Sequence, residues 1–494
     1  MNNEKKNSII KNIFHLFYST ILANLFNAST LILLANYFNS KNYGIFSVAL
    51  ALTMIMHFFT DLGVSNTFLR EGSKKETLHA KFSSYIKIRI ISLLVTFLVF
   101  SVIIHVLYQE QQMLYMMYGL MIPMVIGLTL QSIGITYFQL TESMQFIASI
   151  KIFSAIVLIT SIILCMVLKV NVHLSAFLYG LSYLCGGIYS LYLLRKKAVF
   201  KWKTPFQKQL LNRLSPFLIS GLLIMLTPQL GPLVLEKTLP LTLVGLFAVA
   251  YRIPSALYQI PGVMAGAFFP LLFKHYNQGE LEEHTRLSIL QMKMMSFIGM
   301  CITICLFYSA ASLVTILFGG DWGLAIQPLK VLSFIIVLQG FNIAIADNLT
   351  TSGLQNRRTI VQFITVSIGV VSFYYLSVTH AVMGAVYAVV IMEVISFIGY
   401  TLVNPVRRTA ITKVILPYGS YFSISFILLY FFLNTYPFIA MLTTIAAAST
   451  MVLLFDQTIR DLILAFISKV KRKKQKDVKQ VTGGRQRENA KIAK

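Results

Sequence analysis

Apolar runs of about 20 residues follow one another along almost the whole chain, each long enough as a helix to cross a hydrocarbon core of about 30 Å. They lie near 13–36, 43–69, 90–108, 113–138, 150–168 and 174–194. After a basic stretch come 214–235, 243–273, 294–317, 331–350, 360–379, 382–403, 414–433 and 438–455. The pattern predicts an all-α membrane protein with 14 transmembrane helices and no room between them for a separate folded domain.

Charge placement tests that count, because Lys and Arg near helix ends stay on the cytoplasmic side. With the N-terminus inside, only Lys41, Lys169, Lys237 and Lys330 fall in outer segments, and only Arg252 falls inside a span. Every other Lys and Arg lies in an inner segment, among them the stretches Arg70–Arg89 and Arg195–Arg213. The expected placement is therefore multi-pass in the cell membrane, with both termini cytoplasmic. The first run is expected to serve as its own insertion signal, with no cleavable leader ahead of it.

Composition agrees. Of 494 residues, 56% are apolar and only 12% charged, about half the charge that a water-facing surface carries. Lys and Arg number 42 against 17 Asp and Glu, a net charge of +25. In a membrane protein that excess reads as orientation rather than as nucleic-acid binding. The four cysteines, Cys165, Cys185, Cys301 and Cys305, sit in apolar runs and form no metal-binding or disulfide pattern. The longest outer loop, around 319–327, has about ten residues. No phosphate-binding loop, H-E-x-x-H pair or nucleophile elbow is present. The expectation is a carrier, not an enzyme, with no cofactor and no metal.

An internal repeat supports a carrier, since such proteins are often built from duplicated halves. Tyr43-Gly44-Ile45-Phe46-Ser47-Val48-Ala49-Leu50 opens the second run, and Val244-Gly245-Leu246-Phe247-Ala248-Val249-Ala250-Tyr251 opens the eighth, 201 positions later. Spans an even number apart keep their direction, so the halves are expected to be parallel six-helix repeats with two helices appended. The expected units are 1–200, 201–405, the added pair at 406–460, and a basic tail at 461–494.

The motif Tyr43-Gly44-Ile45-Phe46 followed by Asp61-Leu62-Gly63 resembles the start of polysaccharide-biosynthesis flippases. Val244 to Arg252 with Phe268-Phe269-Pro270, Leu317-Phe318-Gly319-Gly320-Asp321-Trp322 and Met383-Gly384-Ala385 are similar too. Those flippases belong to the multidrug/oligosaccharidyl-lipid/polysaccharide exporter superfamily, and the resemblance covers about residues 10–405. It implies two bundles around a V-shaped central cavity that rocks between inward-open and outward-open states, turning a lipid-linked oligosaccharide across the membrane. The added helix pair resembles the peptidoglycan-precursor branch.

A polar lipid head crosses hydrocarbon only if fixed polar groups replace its hydration. A diphosphate calls for cations, and Arg donates paired hydrogen bonds to it. Arg252 lies about ten residues, or roughly 15 Å of rise, into its span. There it costs about 2.5–3.5 kcal/mol on insertion scales. It either faces the cavity and contacts a substrate diphosphate, with Tyr251 and Gln259 as neighbouring candidates, or forms a buried pair with Glu393. Glu393 in turn either binds a coupling proton or sodium ion or neutralises Arg252. Asp61 and Asp347, nearer the inner span ends, either help gate the cytoplasmic mouth or are solvated helix ends. His57 and His105 read as buried histidines.

Pro205, Pro216, Pro228, Pro232, Pro240, Pro254, Pro261 and Pro270, eight of 13 prolines, cluster around the seventh and eighth runs. Proline removes a helix hydrogen bond, and the freed carbonyl is tolerated only against protein or a wet cavity. Pro228, Gly231, Pro232, Pro254 and Pro261 are the candidate hinge, against a reading as static kinks. The tail from Lys469 to Lys494 would lie on anionic lipid.

The leading expectation is a flippase for undecaprenyl-diphosphate-linked oligosaccharides in cell-surface polysaccharide synthesis, with a polymerase and glycosyltransferases as further candidate partners. A peptidoglycan-precursor lipid flippase is one alternative and a multidrug or cation antiporter of the same superfamily another. The antiporter wants a cluster of acids in one bundle, and the first half has only Asp61 within a span.

Overall fold

The computed structural model describes residues 3–71, 78–198, 204–211, 214–433, 436–461 and 464. These residues form helices, turns and connecting segments, with no strand among them. The first half comprises α1 (Asn3–Tyr37), α2 (Ser40–Asp61), α3 (Val64–Glu71), α4 (Leu78–Leu107), α5 (Gln111–Leu140), α6 (Met144–Val167) and α7 (Val172–Arg195). The second half comprises α8 (Leu214–Leu226), α9 (Leu230–Thr238), α10 (Leu241–Leu257), α11 (Gln259–Asn277), α12 (Leu281–Phe318), α13 (Ile326–Thr351) and α14 (Gln355–Val403). The final helices are α15 (Arg407–Ala410), α16 (Leu416–Leu433) and α17 (Pro437–Phe455). The basic tail from Lys469 lies outside the described residues.

Among the described residues, thirteen helical stretches are long and apolar enough to cross a membrane. The difference from fourteen lies in α14. At 49 residues it would be about 74 Å long if straight. Instead Ala381 carries φ 50° and ψ −130°, and a Cβ on Gly384 would lie only 1.8 Å from the carbonyl oxygen of Leu376. Residues eight apart touch only where a helix folds back. The apolar runs 360–379 and 382–403 are the two limbs of this hairpin, so the count depends on scoring it once or twice.

Other spans are interrupted where the sequence breaks. Asp61-Leu62-Gly63 ends α2 with Leu62 in the left-handed region and Gly63 at φ 78°. A 3₁₀ turn over Thr227–Gln229 separates α8 from α9, and Tyr258 separates α10 from α11. One helix starts earlier than its apolar run: α4 begins at Leu78 rather than near 90, so Lys81, Lys87 and Arg89 lie on a helix, not in a loop.

The repeated octamers pack against each other. α2 meets α10 with Gly44 and Gly245 in reciprocal contact. A Cβ on Gly44 would fall 2.0 Å from the Leu241 oxygen, and one on Gly245 would fall 2.1 Å from the Ser40 oxygen. Ser40 and Leu241 stand at the same 201-residue offset as the glycines, so the contact is locally two-fold. Only glycine lets the backbones approach so closely.

The apolar core shows how the halves are joined. One cluster holds residues of both, including Phe46, Met117 and Tyr179 of the first and Phe247, Val314, Trp322 and Phe373 of the second. Toward the other end it divides. One cluster there is confined to the first half and the linker (Phe68, Phe82, Ile150, Leu210), and another to the second half and the final helices (Met292, Phe341, Tyr418, Val452). The apolar core is therefore continuous across the halves near Gly44 and Gly245, the closed end, and divided at the other, the split end, where α3 and α8 still touch.

A buried ion pair fastens the final helices to the second half. Lys293 Nζ lies 2.8 Å from Asp456 Oδ2, and both side chains are almost fully buried. Tyr418 Oη donates to Asp456 at 3.0 Å and the Ile459 N–H at 3.2 Å. Burial opposes the Asp456 charge, but the donors, Lys293 first, outweigh it and hold the carboxyl below its ordinary range. A depressed folded-state value contributes stability at neutral pH that is lost only as pH falls through it. Lys293→Ala, which strands that carboxylate, is expected to cost about 3–5 kcal/mol of stability. Lys293→Met with Asp456→Leu should recover most of it, measured by thermal and denaturant unfolding in detergent. Equal losses in the single and double variants would show that the charges do not act as a pair.

Candidate functional site

Charged side chains within the spans are few, and each has its own surroundings. In the second half, Glu393 lies on the second limb of α14 and is 9% exposed. α13 presents Gln339 and Asn342, one turn apart, to it. Gln339 Nε2 donates to Oε1 at 2.5 Å and Asn342 Nδ2 to Oε2 at 2.8 Å. A pair between Glu393 and Arg252, one of the two arrangements expected from the sequence, does not form: two neutral amides hold the carboxylate, and among the described residues Arg252 makes no ion pair. The sequence reading passes over both amide residues, although Gln339 and Asn342 at i and i+3 mark one polar face in an apolar span.

Glu393 borders a small cavity of about 20 Å³ whose lining includes Thr227, Pro228, Gly231, Tyr251, Phe373 and Met392. Four sequence candidates thus meet: Tyr251, Glu393, Pro228 and Gly231. The interrupted α8–α9 span supplies the far wall. The Tyr251 ring stacks on Phe247 with centroids 5.8 Å apart, and its hydroxyl is within electrostatic reach of Glu393. Pro232 follows in the first turn of α9, Pro254 is in the last turn of α10, and Pro261 is in the first turn of α11. These prolines therefore stand within a turn of a helix interruption, whereas Pro270 lies inside α11. The side chain of Gln259 lies outside the described residues.

Arg252, next to Tyr251 on α10, is directed elsewhere. Its helix, α10, packs against α2 of the first half, so it stands at the boundary between the halves, with Tyr179 and Tyr183 of α7, whose rings lie 5.7 Å apart, within electrostatic range. It is half-buried, and its buried Nε has no hydrogen-bond partner among the described residues.

In the first half Asp61 is not a bare helix end. It pairs with Arg89, whose side chain is fully buried, and Arg89 also donates to Ser132 Oγ. Ser65 Oγ donates to Asp61 and lies 2.8 Å from Tyr85 Oη. Arg89 thus belongs to a buried cluster rather than to the inner loop in which the charge pattern places it; its signal is Tyr85 and Arg89 at i and i+4. Asp347, 8% exposed, accepts from Gln291 Nε2 at 2.8 Å. It is a hydrogen-bonded buried carboxylate, not a solvated end. His105, expected to be buried, is exposed, with Nδ1 2.8 Å from Tyr118 Oη. Among the described residues no group of His, Cys, Asp and Glu is placed to hold a metal ion.

This arrangement separates two chemistries: a carboxylate in a small cavity within one half, and a guanidinium between the halves. A third group, Asp61 with Arg89, is closed on itself. Asp61→Asn is therefore expected to act on folding, because it leaves a buried guanidinium without its counter-charge. The expected loss is about 3 kcal/mol or more, read from membrane yield and unfolding in detergent. An Asp61→Asn variant as stable as the parent would show that the pair is not structural.

The family described as "Polysaccharide biosynthesis protein" matches residues 9–276. No curated protein matches the chain. Among solved structures, the lipid II flippase MurJ in an inward closed conformation is similar with a TM-score of 0.69 and 14% identity, over 91% of this chain and 99% of that one. An inward-facing multidrug resistance MATE family transporter of the MOP superfamily gives 0.65 and 16%, over 79% and 96%. A MOP superfamily transporter from Pyrococcus furiosus Vc1, described as having a binding pocket of reverse polarity, gives 0.57 and 13%, over 81% and 96%. At these identities the likeness is one of fold.

Proposed function

The chain belongs to the polysaccharide biosynthesis protein family, and on that premise we propose that it is a flippase for a lipid-linked oligosaccharide. It carries an undecaprenyl-diphosphate-linked glycan across the cytoplasmic membrane by alternating access, for assembly of a cell-surface polysaccharide. One observation carries this reading: Arg252 is a mid-span cation at the boundary between the halves, with no carboxylate among the described residues to neutralise it. Such a charge is costly in hydrocarbon, and a diphosphate passing between the halves is the counter-charge that it lacks. Tyr251 and Gln259 are the neighbouring candidates for contact with the substrate.

The split end faces the cytoplasm in this proposal, with both termini on that side, in keeping with the distribution of Lys and Arg. The closed end is then the outer seal, and in transport the lipid head enters between the divided cores at the inner end, where α3 and α8 must part. Glu393, with Gln339 and Asn342, serves as the coupling site for a proton or sodium ion. Asp347 lies near the cytoplasmic mouth, and the interruptions at Pro228, Gly231, Pro232, Pro254 and Pro261 are where the second half bends. The basic tail rests on anionic lipid, and a polymerase and glycosyltransferases are the partners upstream and downstream. A peptidoglycan-precursor lipid is the second reading. The likeness to the lipid II flippase runs over 91% of this chain, against 79% for the inward-facing multidrug transporter.

Arg252→Ala is expected to reduce polymer export at least about tenfold, the scale of one lost charge-assisted contact. Lipid-linked intermediate should accumulate on the cytoplasmic face while the amount of protein in the membrane is unchanged. Arg252→Lys should retain part of the activity, since a point charge replaces the fork. Normal export by both variants would remove Arg252 from substrate contact; accumulation of peptidoglycan precursor instead would select the second reading. Glu393→Gln keeps one acceptor for the amides and removes the charge. It should leave binding of the lipid-linked glycan within about twofold while abolishing the dependence of transport on an ion gradient, measured in proteoliposomes; an unchanged gradient dependence would exclude Glu393 as the coupling group.

A further inference from the structure

At the closed end the halves meet through contacts of different kinds. The Gly44–Gly245 approach is backbone on backbone. Tyr43 lies edge-on to Trp322 at 5.9 Å, and Asn36 Nδ2 donates to the Leu317 carbonyl. One contact is a hydrogen bond to a carboxylate. Tyr108, from the turn between α4 and α5, donates through Oη to Glu236 Oε1 on α9 at 2.5 Å. Glu236 belongs to the second half, and its side chain is 3% exposed. Lys237 Nζ lies 3.1 Å from the same carboxylate oxygen and 4.5 Å from the centre of the Tyr108 ring. The other oxygen, Oε2, is buried with no hydrogen-bond partner among the described residues.

This geometry balances two terms. A hydrogen bond to a charged group stabilises the closed arrangement, whereas a buried oxygen left unpaired destabilises it. Parting the halves reverses both: Tyr108 leaves, and water reaches the whole carboxylate. The shape contacts around it hold the ends in register and have no such offset. Lys237, half exposed, stays with Glu236 because it is the next residue on the same helix. We propose that the Tyr108–Glu236 hydrogen bond is a latch that keeps the closed end shut and sets how often it opens. The proposal rests on the alternating-access reading above, since a latch has meaning only if this end parts.

The test reads opening without reference to substrate. In the full chain with its four cysteines replaced by alanine, Ser47→Cys supplies a reporter. Ser47 is buried on α2, one turn from Gly44. Intact cells are treated with a membrane-impermeant thiol reagent. Tyr108→Phe is expected to raise the labelling rate about tenfold, the scale of one hydrogen bond to a charged group. Glu236→Gln should give a smaller rise, because a neutral acceptor remains for Tyr108. Tyr108→Phe combined with Glu236→Leu should return labelling toward the parent rate, since neither partner is then left unpaired. Gly44→Ala or Gly245→Ala, which wedges the backbones apart, gives the positive control for an open end. If the wedge raises labelling and Tyr108→Phe does not, the latch is wrong and alternating access stands. If neither raises it, the closed end does not open and both readings fall. Unchanged thermal midpoints in detergent separate opening from unfolding.

Discussion

Hydrocarbon supplies no partner to a charge, and that constraint orders the polar interior of this protein. Four of the arrangements that answer it differ in kind. Lys293 and Asp456 neutralise each other and fasten the final helices. Asp61 and Arg89 do the same inside the first half. Glu393 is held by two amides beside a small cavity. Arg252 alone among these has neither a counter-ion nor an amide cage among the described residues. The first two arrangements are charge-balanced and so offer a ligand no net charge, although the buried Arg89 Nε has no hydrogen-bond partner among the described residues. The last two are incomplete in opposite senses, one short of a cation and one short of an anion, and they sit in different places. Function is therefore sought where the balance of charge is left open.

The same constraint explains what is legible in the sequence. Burial in lipid demands long apolar runs, so nearly every span is visible as one, and even the fold-back at Ala381 falls between two runs. The repeat is visible because close backbone approach tolerates only glycine: Gly44 and Gly245 occupy equivalent positions for one physical reason. The role of Arg89 and the start of α4 are not visible. A positive residue just before an apolar run looks like a loop residue under the positive-inside rule, and only its partner Asp61, 28 positions away, shows otherwise. Gln339 and Asn342 escape notice for a similar reason. Amides carry no charge to flag them, and their role emerges only when the second limb of α14 brings Glu393 across. The Arg252–Glu393 pairing fails on direction: successive residues on a helix face about 100° apart. Tyr251 shares the lining of the small cavity with Glu393, and Arg252, the next residue, does not.

The division of the apolar core bears on movement. Where one cluster contains residues of both halves, separating them exposes apolar surface and loses dispersion contacts. Where each half has its own cluster, relative displacement leaves both cores intact. The free energy of any rocking motion is therefore concentrated at the closed end, in a shell that includes Tyr43, Phe247 and Trp322. Apolar contact alone would make that shell a permanent seam, because its strength has no term that weakens when the halves are together. A buried carboxylate with one bonded oxygen and one unbonded oxygen supplies such a term. It adds a directional bond between the halves and, in the same group, a reason to leave that state. An interface that must both seal and open needs that opposition, and a more completely satisfied ionic contact, such as Lys293 with Asp456, belongs where the structure stays together.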